Sequence, residues 1–198
     1  MTICVYQGTF NPIHNAHIRV AKYVLEKNIA SKVIFVPAFI PPHKSIQEDN
    51  AIHRLAMVTL ATEDIPKFEV SDIEFKKNDI SYTYLTIKEL YKSLDIKEKI
   101  NFIIGTDAFE KIETWYKTDK LKNLVHFIIF LREDSFNKSR FDYLKEKGYD
   151  FEFQELTFEN ISSSEIRKRI FNNEKITNMI PKKVEEYIKK YDLYRKQN

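Results

Sequence analysis

Ile3-Cys4-Val5-Tyr6-Gln7-Gly8-Thr9-Phe10-Asn11-Pro12-Ile13-His14-Asn15-Ala16-His17 runs from an apolar segment through a turn into an amphipathic one. Ile3 to Gln7 has strand character, and from His17 to Lys27 a helical period puts Ile18, Ala21 and Leu25 on one side. Two imidazoles three residues apart therefore stand where a strand gives way to a helix. A helix start carries unpaired N–H groups and the positive end of the macrodipole. Residues at i and i+3 share a face, so His14 and His17 can both point at one anion, a phosphate above all. The plainer arrangement, in which one histidine caps or packs and the other is solvated, is open to the same residues.

Outward from this junction the chain alternates. Apolar runs rich in Val, Ile and Phe recur at Lys32 to Pro37, Phe68 to Phe75, Lys99 to Gly105, His126 to Arg132 and Phe151 to Leu156. Helical patterns lie between the earlier ones, Ile52 to Thr62 with Leu55, Ala56 and Leu60, and Tyr84 to Leu94 with Leu85, Leu90 and Tyr91. Strand and helix in regular alternation imply right-handed crossovers. The fold class is α/β, a doubly wound, Rossmann-like, mostly parallel sheet with helices on both faces. A chain of 198 residues fits a single domain, 1–198, with a small helical portion from about 160 to 198.

Only three glycines occur. Gly148 belongs to a surface turn, whereas Gly8 and Gly105 each follow a core strand, where backbone turns sharply or approaches a ligand. Ligands of a doubly wound sheet bind outside the carboxyl ends of strands, where strand order reverses. With the first and fourth strands adjacent, both glycines line one crevice. Neither a Walker loop nor G-x-G-x-x-G is present, so such a phosphate site is built without them.

Composition narrows the function classes. With 43% hydrophobic and 31% charged residues the chain reads as a soluble globular protein. No stretch is long and apolar enough for a bilayer, and Met1-Thr2-Ile3-Cys4-Val5 lacks the basic start and apolar run of a signal peptide, so a cytoplasmic protein without membrane partner is expected. Cys4 is the only cysteine and sits in an apolar strand, which excludes an intramolecular disulfide and points to a core residue. The net charge of +3 comes from 32 basic and 29 acidic residues, too balanced for a nucleic-acid face. The basic stretch Lys182 to Lys196 places Val184, Tyr187, Ile188, Tyr191 and Leu193 on the face of a helix docked on the domain. Nothing here fixes oligomeric state, and a homo-oligomer is compatible with it.

Ser162, followed by Glu165 before an apolar-periodic segment, is a capping box. It leaves over Ser163, Ser164 and Arg167, whose hydroxyls and guanidinium at a helix start would make a second anion site. Arg132, closing the fifth strand, falls on the crevice side of the sheet.

Gly8-Thr-Phe-Asn-Pro-Ile-His14-Asn-Ala-His17 resembles the nucleotide-binding signature of the nucleotidyltransferase superfamily. Further segments follow in the order of the bacterial nicotinate-nucleotide adenylyltransferases: Pro37, Pro41-Pro42-His43-Lys44, Arg54 with Met57, Ser81-Tyr82-Thr83, Gly105-Thr-Asp107, Trp115-Tyr116, Ile161 to Arg167, Pro181, Tyr187-Ile188 and Leu193-Tyr194. The resemblance spans essentially the whole chain. Gln7, Asn11, Ala16 and Ser164 stand where that family more often has Gly, Asp, Gly and Thr.

The resemblance implies adenylyl transfer from ATP to nicotinate mononucleotide, a step of NAD biosynthesis. It puts His14 and His17 on the ATP phosphates, with the N–H groups of Thr9 and Phe10 as companions, and makes these histidines and Arg167 the catalytic groups. Gly8, Lys44, Gly105, Asp107, Arg132, Ser162 and Ser163 would bind ATP. Asp107 alone could also be a helix N-cap. Trp115 would stack on the pyridine ring with Tyr116 beside it, although an aromatic pair closing a helix is an equally ordinary role. Tyr82 and Thr83 would serve the nicotinate carboxylate. Mg2+ would enter with the phosphates rather than on protein ligands. The alternatives are the same transfer to nicotinamide mononucleotide or phosphopantetheine, a nucleotide sensor without turnover, and, last, an RNA-binding protein.

Overall fold

The computed structural model describes residues 2–42, 49–76, 79–131, 137–156 and 161–195. Six strands, β1 (Ile3–Gly8), β2 (Lys32–Pro37), β3 (Phe68–Val70), β4 (Ile100–Gly105), β5 (Val125–Phe130) and β6 (Phe151–Gln154), form one sheet in the order β3-β2-β1-β4-β5-β6. Every pairing is parallel. The chain winds outward from β1 on one side, then returns to lay β4 against β1. Strand order therefore reverses between β1 and β4, where the sheet opens a crevice at its carboxyl edge.

Side chains alternate across the pleat and supply two cores. Cys4, Val33, Phe35, Ile103, Ile128 and Phe130 face one layer, while Val5, Ile34, Val36, Phe102, Ile104, Phe127 and Ile129 face the other. The first layer is covered by α1 (Asn15–Glu26), α2 (Asp49–Thr62), α7 (Ser163–Phe171) and α8 (Lys182–Lys190). The second is covered by α3 (Thr83–Ser93), α4 (Thr106–Phe109), α5 (Thr118–Leu121) and α6 (Asp142–Glu146). Val184 and Ile188 of α8 are buried in the same core as β1, each worth about 1.5–3 kcal/mol of apolar burial. Cys4 is fully buried, and burial pushes its thiol far up, so it is a core residue.

Several boundaries differ from the sequence reading. The third strand pairs only over Phe68–Val70, because the apolar alternation of Phe68 and Val70 slips at Ser71-Asp72, where the chain turns and Phe75 donates to the Asp72 carbonyl at 2.9 Å. β5 and β6 likewise end at Phe130 and Gln154. The docked C-terminal helix stops at Lys190, and Asp192 and Tyr194 then adopt left-handed backbone, with φ of 52° and 67°. Gly148, on an exposed turn, has a φ of 81° and needs its freedom. Gly8 needs to be small for another reason. A β-carbon there would lie 2.9 Å from Cζ of Phe10, whose ring folds back into the core. Among the described residues no helix is long and apolar enough to cross a membrane.

Candidate active site

The turn after β1 is held from outside by its carbonyl groups. The buried guanidinium of Arg54, on α2, donates to the carbonyls of Thr9 at 2.9 Å, Ala38 at 2.5 Å and Phe39 at 2.8 Å. Burial lowers its affinity for the proton, but an arginine remains charged. Ser163 donates to the Pro12 carbonyl at 2.9 Å and Arg167 to the Asn11 carbonyl at 2.7 Å. A planar trans peptide holds C=O of one residue antiparallel to N–H of the next. Anchoring the Thr9 and Pro12 carbonyls thus turns the N–H groups of Phe10 and Ile13 away from Arg54 and Ser163.

His14 is the N-cap of α1, 5% exposed, and its N–H donates to Nδ1 of His17 at 3.2 Å. An Nδ1 that accepts carries no proton, so neutral His17 bears its proton on Nε2. The two rings stack with centroids 3.6 Å apart, and Phe10 and Tyr6 meet His17 edge-on at 5.1 and 5.8 Å. His17 thus caps the helix through Nδ1.

Ser162 caps α7, accepting from the Glu165 N–H at 3.1 Å. The Glu165 carboxylate turns to Arg169 instead of completing the box, at 2.8 Å, and that partner lowers its proton affinity. Ser163 and Arg167 meet the histidine turn, so α1 and α7 bring their N-termini to the same loop. Asp107 is not a cap. That position belongs to Gly105 at the end of β4, because the backbone there is already extended, with φ of −85° and ψ of 158°, and Asp107 lies exposed in the first turn of α4.

A cleft of about 450 Å³ opens beside this loop, lined by Gly8, Thr9, Tyr82, Thr83, Trp115 and Tyr116 together with Gln7, Ala38, Pro42, Ser81, Phe102 and Thr114. Four expected acceptor-binding residues therefore meet the end of β1 in one space. Trp115 is half-buried and stands edge-on to Phe102 at 6.2 Å. Tyr116 lies against Tyr82 at 4.6 Å, with the Lys117 ammonium 4.8 Å above its ring. Tyr82 is the N-cap of α3, and no side chain caps that helix start. Gly105, Asp107, His14 and His17 sit on neighbouring segments outside this lining. Lys44 and Arg132 lie outside the described residues.

Two buried groups behind the cleft had no role in the sequence reading. One is Arg54, which stood there only among the family segments. The other is Glu74, 5% exposed, whose carboxylate accepts from Gln7 Nε2 at 2.5 Å, the Thr86 hydroxyl at 2.6 Å and the Phe39 N–H at 3.1 Å, with Ser81 also bonded. Burial raises its proton affinity and these donors oppose the rise. Ser81 in turn accepts from the Phe39 N–H at 2.8 Å and donates its own N–H to Ile40 at 2.8 Å, fixing the start of α3 to the loop after β2. Gln7, where the resembling family favours glycine, is thus drawn to the cleft wall by Glu74. The only signal in the sequence was an acidic residue in an apolar run.

Order of strands, anion-ready turn and adjoining aromatic cleft define a nucleotidyltransferase, and residues 5–169 match the model of the cytidylyltransferase-like family. A protein of Caldicellulosiruptor bescii named "Probable nicotinate-nucleotide adenylyltransferase" is 39% identical over 99% of this chain and 100% of its own. One of Clostridium botulinum strain Loch Maree with the same name is 38% identical over 95% and 96%. Among solved structures, Plasmodium falciparum nicotinic acid mononucleotide adenylyltransferase complexed with NaAD superposes with a TM-score of 0.80 at 25% identity, covering 98% of this chain and 97% of that one. The chain belongs to the nicotinate-nucleotide adenylyltransferases of the cytidylyltransferase-like family.

Proposed function

We propose that this protein transfers the adenylyl group of ATP to nicotinate mononucleotide, giving nicotinic acid adenine dinucleotide and pyrophosphate in NAD biosynthesis. The observation that carries this reading is the shared cleft, which joins the end of β1 to the uncapped start of α3 and to Trp115 and Tyr116. A phosphate oxygen of the mononucleotide attacks the α-phosphorus of ATP in line, and the bond to the pyrophosphate oxygen breaks. The attacking phosphate is already anionic, so no general base is needed. Catalysis is positioning plus stabilisation of charge on the phosphoryl oxygens.

His14, His17 through Nε2–H, and Arg167 supply that stabilisation, with the N–H groups of Thr9 and Phe10 and the α7 start at Ser162 and Ser163 holding the phosphates. Gly8, Gly105 and Asp107 flank the nucleotide, and Lys44 and Arg132 add positive charge. Mg2+ travels on the nucleotide phosphates, held by their oxygens and water.

The pyridine ring stacks on Trp115. Its carboxylate meets the N-terminus of α3 at Tyr82 and Thr83, where N–H donors and the helix dipole favour an anion. A carboxamide puts NH2 where those donors need an acceptor, leaving buried donors unpaired at roughly 1–3 kcal/mol each. The reaction is assigned to the cytoplasm. Purified protein given ATP, Mg2+ and nicotinate mononucleotide releases pyrophosphate. Folded protein, checked by circular dichroism, that releases none at high concentration contradicts the proposal.

A further inference from the structure

The turn that carries the histidines is fastened by a residue 183 positions away. Tyr194 donates its phenol proton to Oδ1 of Asn11 at 2.6 Å, while the carbonyl of the same Asn11 accepts from Arg167 at 2.7 Å. Tyr194 packs against the core shared by β1 and α8, and Arg54 and Arg167 lie near enough to act on its phenol electrostatically. The neighbouring segment reinforces the hold. Asn15, the first residue of α1, donates through its backbone N–H to Met179 at 2.9 Å and through Nδ2 to Asn178 at 2.6 Å. Burial raises the proton affinity of the phenol, so Tyr194 remains a donor across the physiological range.

Backbone strain accompanies this reach. Asp192 and Tyr194 take left-handed conformations after α8, with φ of 52° and 67°. A non-glycine residue in that region costs on the order of 1–3 kcal/mol and persists only where its surroundings over-determine it. Asp192 closes α8, where the Leu193 N–H donates to the Ile188 carbonyl at 3.1 Å and Leu193 packs on the core. The left-handed Tyr194 beyond it brings the phenol to Asn11.

We infer that Tyr194 is a positioning residue of the transfer reaction, holding Asn11 so that the Asn11–His17 turn presents its two imidazoles in one fixed geometry. The inference rests on the proposed reaction for its kinetic consequence but not for its structural one. Asn11 is fixed on both sides, by Arg167 from α7 and by Tyr194 from the closing turn. Releasing one side frees the residue three positions before His14. A displacement of about 1 Å at reacting groups can lower a rate by up to a hundredfold.

The test uses the full chain as wild type, Tyr194→Phe, Asn11→Ala and the double variant. Steady-state kinetics and the imidazole carbon–proton signals of the histidines are recorded well below the thermal midpoint. In Tyr194→Phe, kcat should fall roughly tenfold or more, with the KM for nicotinate mononucleotide nearly unchanged because Trp115 and Tyr82 are untouched. The His14 and His17 signals should shift or broaden, while His126, paired with Asp150 at the start of β5, stays in place. Asn11→Ala should move the same signals, and its kinetic effect should not add to that of Tyr194→Phe. Unmoved His14 and His17 signals overturn the inference, and so does an unchanged kcat, whatever happens to the thermal midpoint. If wild type itself releases no pyrophosphate, the proposed reaction fails, and the imidazole signals alone decide the coupling.

Discussion

The backbone N–H of His14 donates to Nδ1 of His17 across 3.2 Å, and the two rings stack at 3.6 Å. One imidazole thereby caps α1 through Nδ1 and carries its proton on Nε2, so the first turn of the helix orients the proposed hydrogen-bond donor to phosphate.

His17→Ala should reduce kcat by about 10²–10³-fold, the usual effect of removing one transition-state donor. It also forfeits the edge contacts with Phe10 and Tyr6, worth roughly 0.5–1.5 kcal/mol each beyond burial. A 1 kcal/mol loss lowers the midpoint of a chain this size by about 2–4 °C. Turnover measured beside a thermal melt checks this, and retained turnover removes His17 from the chemistry.

Gly8→Ala places a β-carbon 2.9 Å from the Phe10 ring, which is 3% exposed and has no room to retreat. Overpacking of this kind costs about 1–3 kcal/mol. Urea unfolding should show that loss, and the displaced turn should weaken ATP binding. An alanine variant of full stability and affinity contradicts the packing assigned to Phe10.

What the sequence disclosed and what it hid divide by distance along the chain. The histidine pair, the capping Ser162 and the alternation of strands with helices are local patterns, and the structure keeps them. Arg54 reaches Thr9 over 45 residues, Gln7 reaches Glu74 over 67, and Tyr194 reaches Asn11 over 183. No periodicity encodes such contacts. Asp107 had a helix cap as its plain alternative to nucleotide binding, but the extended backbone of Gly105 fixes the cap two residues earlier. The third strand looked longer because Ile73 and Phe75 are apolar. Their side chains follow a turn, and Glu74 between them is recruited to the cleft wall.

Glu74→Gln separates burial from hydrogen bonding through pH. Burial raises the folded-state proton affinity of Glu74, so both states are protonated well below the ordinary glutamate pKa of about 4.3. As pH climbs past that value the unfolded chain ionises first, and wild type loses stability until the folded carboxyl ionises too. The stability of wild type minus that of Glu74→Gln should therefore fall as pH rises above about 4.3 and then level off. A difference that rises with pH would mean that the four donors outweigh burial.

Arg54→Lys should fail to restore what Arg54→Met loses. A guanidinium spans three carbonyls on two loops, whereas an ammonium is a compact charge that lacks the fork. Each bond from a charged donor contributes about 1.5–3 kcal/mol, so both variants should unfold at clearly lower urea concentration than wild type.

Trp115 is the only tryptophan, so its fluorescence reports on the cleft directly. Titration with nicotinate mononucleotide should change the emission, and Trp115→Ala should raise the KM for the mononucleotide while leaving that for ATP nearly unchanged. An unchanged KM for the mononucleotide places the pyridine ring elsewhere.

The decisive measurement is a side-by-side assay of pyrophosphate release from ATP with nicotinate mononucleotide, nicotinamide mononucleotide and phosphopantetheine, each at matched concentration. The acid should be the preferred acceptor by tenfold or more in kcat/KM, since an amide leaves at least one α3 donor unpaired and 1.4 kcal/mol is a factor of ten. Equal or greater kcat/KM with the amide or with phosphopantetheine would contradict the assignment of the Trp115 and Tyr82–Thr83 cleft to a nicotinate carboxylate.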